Sequence, residues 1–251
     1  LTELETWYQA PKGEYLLDCL RAELATQLDT AFGYHLAQVG VTGCHRLFDS
    51  SPIRHRIAIA PRPGEGIGLQ AQADELPLAS DSVDVLIAHH ALEFCANPHQ
   101  ALREMHRVLT PQGRLFIIGF NPASVPGMGM ALSSRLGSPL WRQRRGLSTW
   151  RLGDWLNLLG LEVEDVHHCF ALAPRGRGRL RRGIETANAW CSRHGLPIGG
   201  VYLVHAIKQV AGQVRPVQRS RSPRLIDLAV PKPVPTPRPT PTSRSKGDSA
   251  A

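Results

Sequence analysis

Apolar positions in this chain switch between two spacings. Across residues 14–31, Leu16, Leu17, Leu20, Leu24, Leu28 and Ala31 recur every three or four positions, which predicts an amphipathic helix closed by Gly33. Short apolar runs at 34–39 and 56–60 then read as strands, the second stopped by Pro61, which has no N–H to give to a ladder. Residues 67–71 read as a third strand. The run 83–88, Val-Asp-Val-Leu-Ile-Ala, is mostly apolar throughout, as in a strand buried on both faces of a parallel sheet. Asn97 and Pro98 predict a helix start. That helix buries Ala101, Leu102, Met105, Val108 and Leu109 and exposes Arg103, Glu104 and Arg107. Thr110-Pro111-Gln112-Gly113 predicts a turn before a strand at 114–120.

Residues 121–145 are rich in Gly, Ser, Pro and Arg and lack a period. Ser148 is placed to cap a helix carrying Leu152, Trp155, Leu156 and Leu159 and ended by Gly160, and 161–166 and 201–210 read as late strands. Strand and helix alternate, so the pattern predicts an α/β fold with a parallel sheet and helices on both faces. Eight prolines fall in the last 37 positions, a composition that buries too little apolar surface to offset ordering. The expected organisation is an N-terminal helical segment at 1–33, a domain at 34–214 with a variable substrate-side stretch at 121–155, and a disordered tail at 215–251.

A length of 251 residues with 42% hydrophobic content fits one α/β domain plus appendages. The net charge of +8 is regional. Residues 215–251 hold eight Lys/Arg and two acids, and 135–182 hold ten Arg and four acids, leaving the rest mildly acidic. The clusters Arg142/Arg144/Arg145 and 175–182, beside Trp141 and Trp150, leave an RNA-associated reading open. Solvated charged faces are the commoner outcome. Five scattered cysteines without a Cys-x-x-Cys pair predict neither a disulfide framework nor a zinc ribbon, so a reduced cytoplasm is the expected setting. No apolar run approaches the roughly 18–20 residues that cross a bilayer.

The densest chemistry lies in one ordered series. It begins with Ala73-Asp74-Glu75-Leu76-Pro77-Leu78 and continues through Asp81-Ser82-Val83-Asp84-Val85-Leu86. It closes with Arg107-Val108-Leu109-Thr110-Pro111-Gln112-Gly113-Arg114-Leu115. In order and spacing this resembles the class I S-adenosylmethionine-dependent methyltransferases of the small-molecule kind, including the type 11 and ubiquinone-biosynthesis groups. The likeness covers roughly residues 34–120. It implies a Rossmann-like sheet, mostly parallel with an antiparallel late strand, and methyl transfer from S-adenosylmethionine to a small-molecule acceptor. By resemblance, Gly40 and Gly43 face the methionine part of the cofactor. Asp74 and Glu75 face its adenine, Leu76 covers the ring, and His89 lies near the reacting methyl group.

The departures from that pattern are local. Gln38 stands where the family has an acid, only Gly40 and Gly43 remain of the glycine turn, and Ala60-Pro61 replace the acid that grips the ribose. The helix expected between the second and third strands is replaced by Arg62-Pro63-Gly64-Glu65-Gly66, where Glu65 is a substitute acid. His89 and His90 are the candidate bases. With Glu93 they also raise a metal reading, which lacks a third ligand, so a lining or structural pair is expected instead. A non-catalytic binding protein of the same fold is the second reading.

Overall fold

The leucine stripe at 16, 17, 20, 24 and 28 becomes the buried side of α2 (Pro11–Leu28), which opens on a proline at its first turn. Each leucine so removed from water contributes about 1.5–3 kcal/mol. A shorter helix, α1 (Thr2–Gln9), precedes it and sends Leu4 and Tyr8 into the same core. The N-terminal segment is thus built into the sheet's packing. The computed structural model describes residues 2–40, 45–124, 126–129, 132, 142, 144–169, 182–184, 186–188 and 199–210.

Seven strands follow the helices. They are β1 (His35–Gly40), β2 (His55–Ala60), β3 (Leu69–Gln70), β4 (Val83–His89), β5 (Leu109–Phe120), β6 (Leu161–Cys169) and β7 (Val201–Lys208). Their order is β3-β2-β1-β4-β5-β7-β6. The pairs from β3 to β5 are parallel, and β7 runs antiparallel to both neighbours. The order reverses between β1 and β4, which is where an open α/β sheet gathers a ligand site.

Side-chain alternation along the central strands feeds two cores. Val85, Ile87, Phe116 and Ile118 pack toward α1 and α2. Leu86, Ala88, Leu115 and Ile117 pack on the opposite face with α3 (Pro98–Val108) and α4 (Thr149–Leu158). Both faces of β4 and β5 are therefore buried, which is why these strands read as unbroken apolar runs.

Several expectations need adjustment. The third strand shrinks from 67–71 to two residues, and the last ends at Lys208. Asn97 precedes α3 without a side-chain capping bond, whereas Ser148 caps α4 by accepting from the Arg151 N–H at 3.4 Å. The predicted turn at 110–113 is a bulge inside β5, where Leu109 and Arg114 oppose Val83 and Val85 and Gln112 has φ 66°. Glu104 and Arg107 are half-buried, with an ion pair at 2.8 Å. Arg107 also donates to the carbonyls of Leu76 and Leu78, bracing the loop after β3. Residues 61–68 and 71–82 contain no helix, as the sequence led us to expect for the first of these segments. The tail at 215–251, the arginines at 175–181, Trp141 and Gly43 lie outside the described residues.

Candidate active site

Parallel strands carry their carboxyl ends to one edge of the sheet, and a small cleft, partly open to solvent, lies there. Gly40 at the end of β1, Pro61 past β2, Gln72 past β3, and His90, Phe94 and Cys95 past β4 form its wall. Gly40 has φ 115°, and a Cβ placed on it would overlap the carbonyl oxygen of His89 on the adjoining strand. The glycine is therefore required by the approach of β1 to the end of β4 as well as by any ligand.

Gln38 accounts for the position two residues earlier. It is fully buried. Its amide oxygen accepts from the Leu47 N–H at 3.0 Å, and its amide nitrogen donates to the His45 carbonyl at 3.1 Å. One neutral amide thus ties the chain after the glycine turn back to β1, a task needing a donor and an acceptor together.

Past β3, Asp74 is half-buried in the turn bridged by Gln72 and Glu75. Its carboxylate faces the thiol of Cys95. Burial first, and this carboxylate after it, raise Cys95 above the ordinary thiol range. Glu75 is exposed, with its N–H bonded to the Gln72 carbonyl at 3.2 Å. Leu76 is buried among the α3 side chains and does not line the cleft, because Glu104 and Arg107 hold its N–H and carbonyl. Among the described residues, no Asp or Glu lines the cleft, and Glu65 is exposed.

Behind the cleft lies a buried polar chain. His90, at φ 53°, has both ring nitrogens engaged. Its Nδ1 is 2.6 Å from Glu93 Oε2, and its Nε2 is 2.7 Å from the Tyr8 hydroxyl. The same hydroxyl is 3.0 Å from His89 Nε2. Glu93 accepts from the Phe120 N–H at 3.1 Å on both oxygens, and Arg144 lies 4.0 Å away. Burial, then Arg144, lowers His90 to about 3. Burial raises Glu93 to about 8 against the opposing pull of Arg144 and the Phe120 N–H. Burial, then Glu93, lifts Tyr8 well above the usual tyrosine range. The ring of His90 stacks on Phe120 at 4.1 Å.

The structure thus brings Gly40, Asp74, His89 and His90 to one end of the sheet, but of the described candidate residues only Gly40 and His90 line the cleft; Asp74, Glu75, Leu76 and His89 do not. Glu93 pairs with His90 and not with His89, and no group of three metal-binding side chains occurs among the described residues. Arg144 was marked in the sequence only as part of a candidate nucleic-acid cluster, and Tyr8 was not legible as a site residue at all. Tyr8 reaches the site from 82 positions away, and no local spacing announces such a contact.

Residues 32–117 match the Methyltransf_11 family, described as "Methyltransferase domain". These residues are a methyltransferase domain. The chain is similar to the Escherichia coli K12 protein YafS, with 33% identity over 162 residues, 63% of this chain and 65% of that protein. A malonyl-[acyl-carrier protein] O-methyltransferase of Methylococcus capsulatus is 40% identical over 72 residues, 28% of this chain and 26% of that protein. The chain spans less than two thirds of the length of these curated relatives. Among solved structures, a SAM-dependent methyltransferase from Archaeoglobus fulgidus aligns with TM-score 0.56 and 16% identity, over 82% of this chain and 99% of that one. That likeness establishes a methyltransferase-like Rossmann fold.

Proposed function

We propose that the methyltransferase domain transfers the methyl group of S-adenosylmethionine to a small-molecule acceptor. The observation that carries this is the cleft at the β1–β4 reversal, with Gly40 on one wall and Ala73 and Cys95 on another. Several residues fit the cofactor's adenosine end. Ala71, Ala73 and Phe94 offer apolar walls, and Asp74, next in the chain to the cleft residue Ala73, is the carboxylate we assign to the exocyclic amine. Gly40 leaves backbone open to the amino-acid end, and Gly43 is assigned to the same end. When bound, the cofactor supplies an electrophilic methyl on sulfur, so the protein's main task is to orient the acceptor and exclude water. His89 and His90, walled off from bulk solvent, stand where a proton would be handled.

A non-catalytic role for the same cleft is the second reading. It is favoured by the absence, among the described residues, of a carboxylate on the cleft wall where a ribose would be gripped. Incubation with methyl-labelled S-adenosylmethionine and a low-molecular-weight metabolite fraction separates the two. Label in a small molecule supports the enzyme, and cofactor binding with no label in any fraction supports the second reading.

A further inference from the structure

The opposite end of the sheet carries chemistry that the cleft does not use. Strands β1 and β2 each open on a histidine, and their parallel register sets His35 beside His55. Both residues are exposed. Their Nδ1 atoms are 2.9 Å apart, and the ring planes cross at 89°. One Nδ1–H therefore donates to the other Nδ1. Moving that proton to Nε2 of its own ring leaves a lone pair on each Nδ1 beside one gap, with no proton lost to solvent.

We propose that His35 and His55 form a two-histidine site for a divalent transition metal, Cu²⁺ ahead of Zn²⁺. Such metals take imidazole nitrogen at about 2.0–2.1 Å. Two bonds of that length at right angles place the nitrogens about 2.8–3.0 Å apart, and at the tetrahedral angle about 3.3–3.4 Å. The 2.9 Å between the two Nδ1 atoms falls in the first range, which is the square-planar or tetragonal geometry of Cu²⁺. Cu²⁺ also stands above Zn²⁺ in affinity for a given nitrogen site. Hard cations such as Mg²⁺ and Ca²⁺ need oxygen ligands, and among the described residues no Asp or Glu lines the adjoining cavity.

The surroundings hold one ligand in place and leave room for others. Asp84 Oδ2 accepts from the Tyr34 N–H at 2.7 Å and the His35 N–H at 2.9 Å. Its Oδ1 accepts from the Thr110 hydroxyl at 3.3 Å. The backbone at His35 is thus ordered before a metal arrives, which lowers the cost of binding. A cavity of about 220 Å³ adjoins the pair, walled by Ile57, Leu78 and Val83. Water or a small anion fits there to complete the coordination. At about 3.3 Å per residue, β1 sets the pair roughly 17 Å from Gly40. The site is therefore separate from the cofactor cleft and independent of the methyl-transfer reading.

The test uses the full chain, purified without a histidine tag, and Cu²⁺ alone. Calorimetry and electron paramagnetic resonance compare the wild type with His35→Asn and His55→Asn, and melting curves show that each is folded. The first equivalent bound by the wild type is expected to show hyperfine coupling to two imidazole nitrogens. Each variant should bind it at least about tenfold more weakly, because the second ring no longer chelates. If one variant unfolds, the other carries the same comparison. Zn²⁺ should bind more weakly than Cu²⁺, and equal or tighter Zn²⁺ binding would overturn the right-angle geometry. A wild-type spectrum without two-nitrogen coupling overturns the site without any variant. So does the absence of saturable Cu²⁺ binding, or binding that neither substitution weakens, and the pair is then only a hydrogen bond between strands.

Discussion

Gly40 lies opposite His89 across the parallel β1–β4 ladder, so close that a side chain on the glycine would overlap the histidine's carbonyl oxygen. The backbone there has φ 115°, where side chains are strained. Gly40→Ala is therefore expected to destabilise the domain by at least about 1–3 kcal/mol through backbone strain alone. Thermal or urea unfolding checks this. A variant as stable as the wild type would mean that β1 and β4 do not approach as described.

Restoring the acid at position 38 is expected to weaken the fold. Gln38→Glu keeps an oxygen for the Leu47 N–H but loses the donor that now meets the His45 carbonyl. It also puts a carboxylate in a fully buried place. Leaving a buried acceptor unmet costs about 1–3 kcal/mol, before any charge is counted. The same variant should melt closer to wild type at low pH, where the new acid is neutral. Denaturation at two pH values reads both effects.

Stability should fall as pH rises from about 6.5 to about 8. Glu93 has its folded pKa raised from 4.5 to about 8, so the folded chain keeps a proton that the unfolded chain has released. This contribution is complete below 4.5 and is lost as pH rises through about 8. His90, lowered from 6.5 to about 3, acts in the opposite sense, and its contribution is complete above 6.5. Between 6.5 and 8 Glu93 therefore acts unopposed by His90, with a slope of at most about 1.4 kcal/mol per pH unit. Chemical denaturation across this range should show the fall, and Glu93→Gln should flatten it. A flat wild-type profile would contradict the burial of Glu93 as a proton holder.

Much of the sheet was legible because β4 and β5 are buried on both faces and β1 and β2 end at special residues, Gly40 and Pro61. The helix α2 was legible from its leucine stripe. The bulge at 110–113 was not separable from a turn, since Pro and Gly mark both and only the pairing with Val83 and Val85 distinguishes them. Leu76 was expected on the ligand because it lies next to Asp74. Its backbone bonds to Glu104 and Arg107, 28 and 31 positions later, draw it to α3 instead. The chain Tyr8–His90–Glu93 was out of reach for a related reason. His90 and Glu93 are close in sequence, but their shared partner comes from α1, and its identity follows only from packing.

The cofactor reading turns on Asp74. It lies beside Ala73 and near Cys95, both of which line the cleft, so a bound adenine amine would find a carboxylate at the cleft's edge. Removing a hydrogen bond to a charged acceptor costs about 1.5–3 kcal/mol, or roughly ten- to over a hundredfold in affinity. The direct measurement is calorimetry of the full chain with S-adenosylmethionine, in wild type and in Asp74→Ala, with melting curves confirming that both are folded. The account predicts saturable one-site binding by the wild type, weakened at least about tenfold in the variant. Absence of binding by the folded wild type would contradict it.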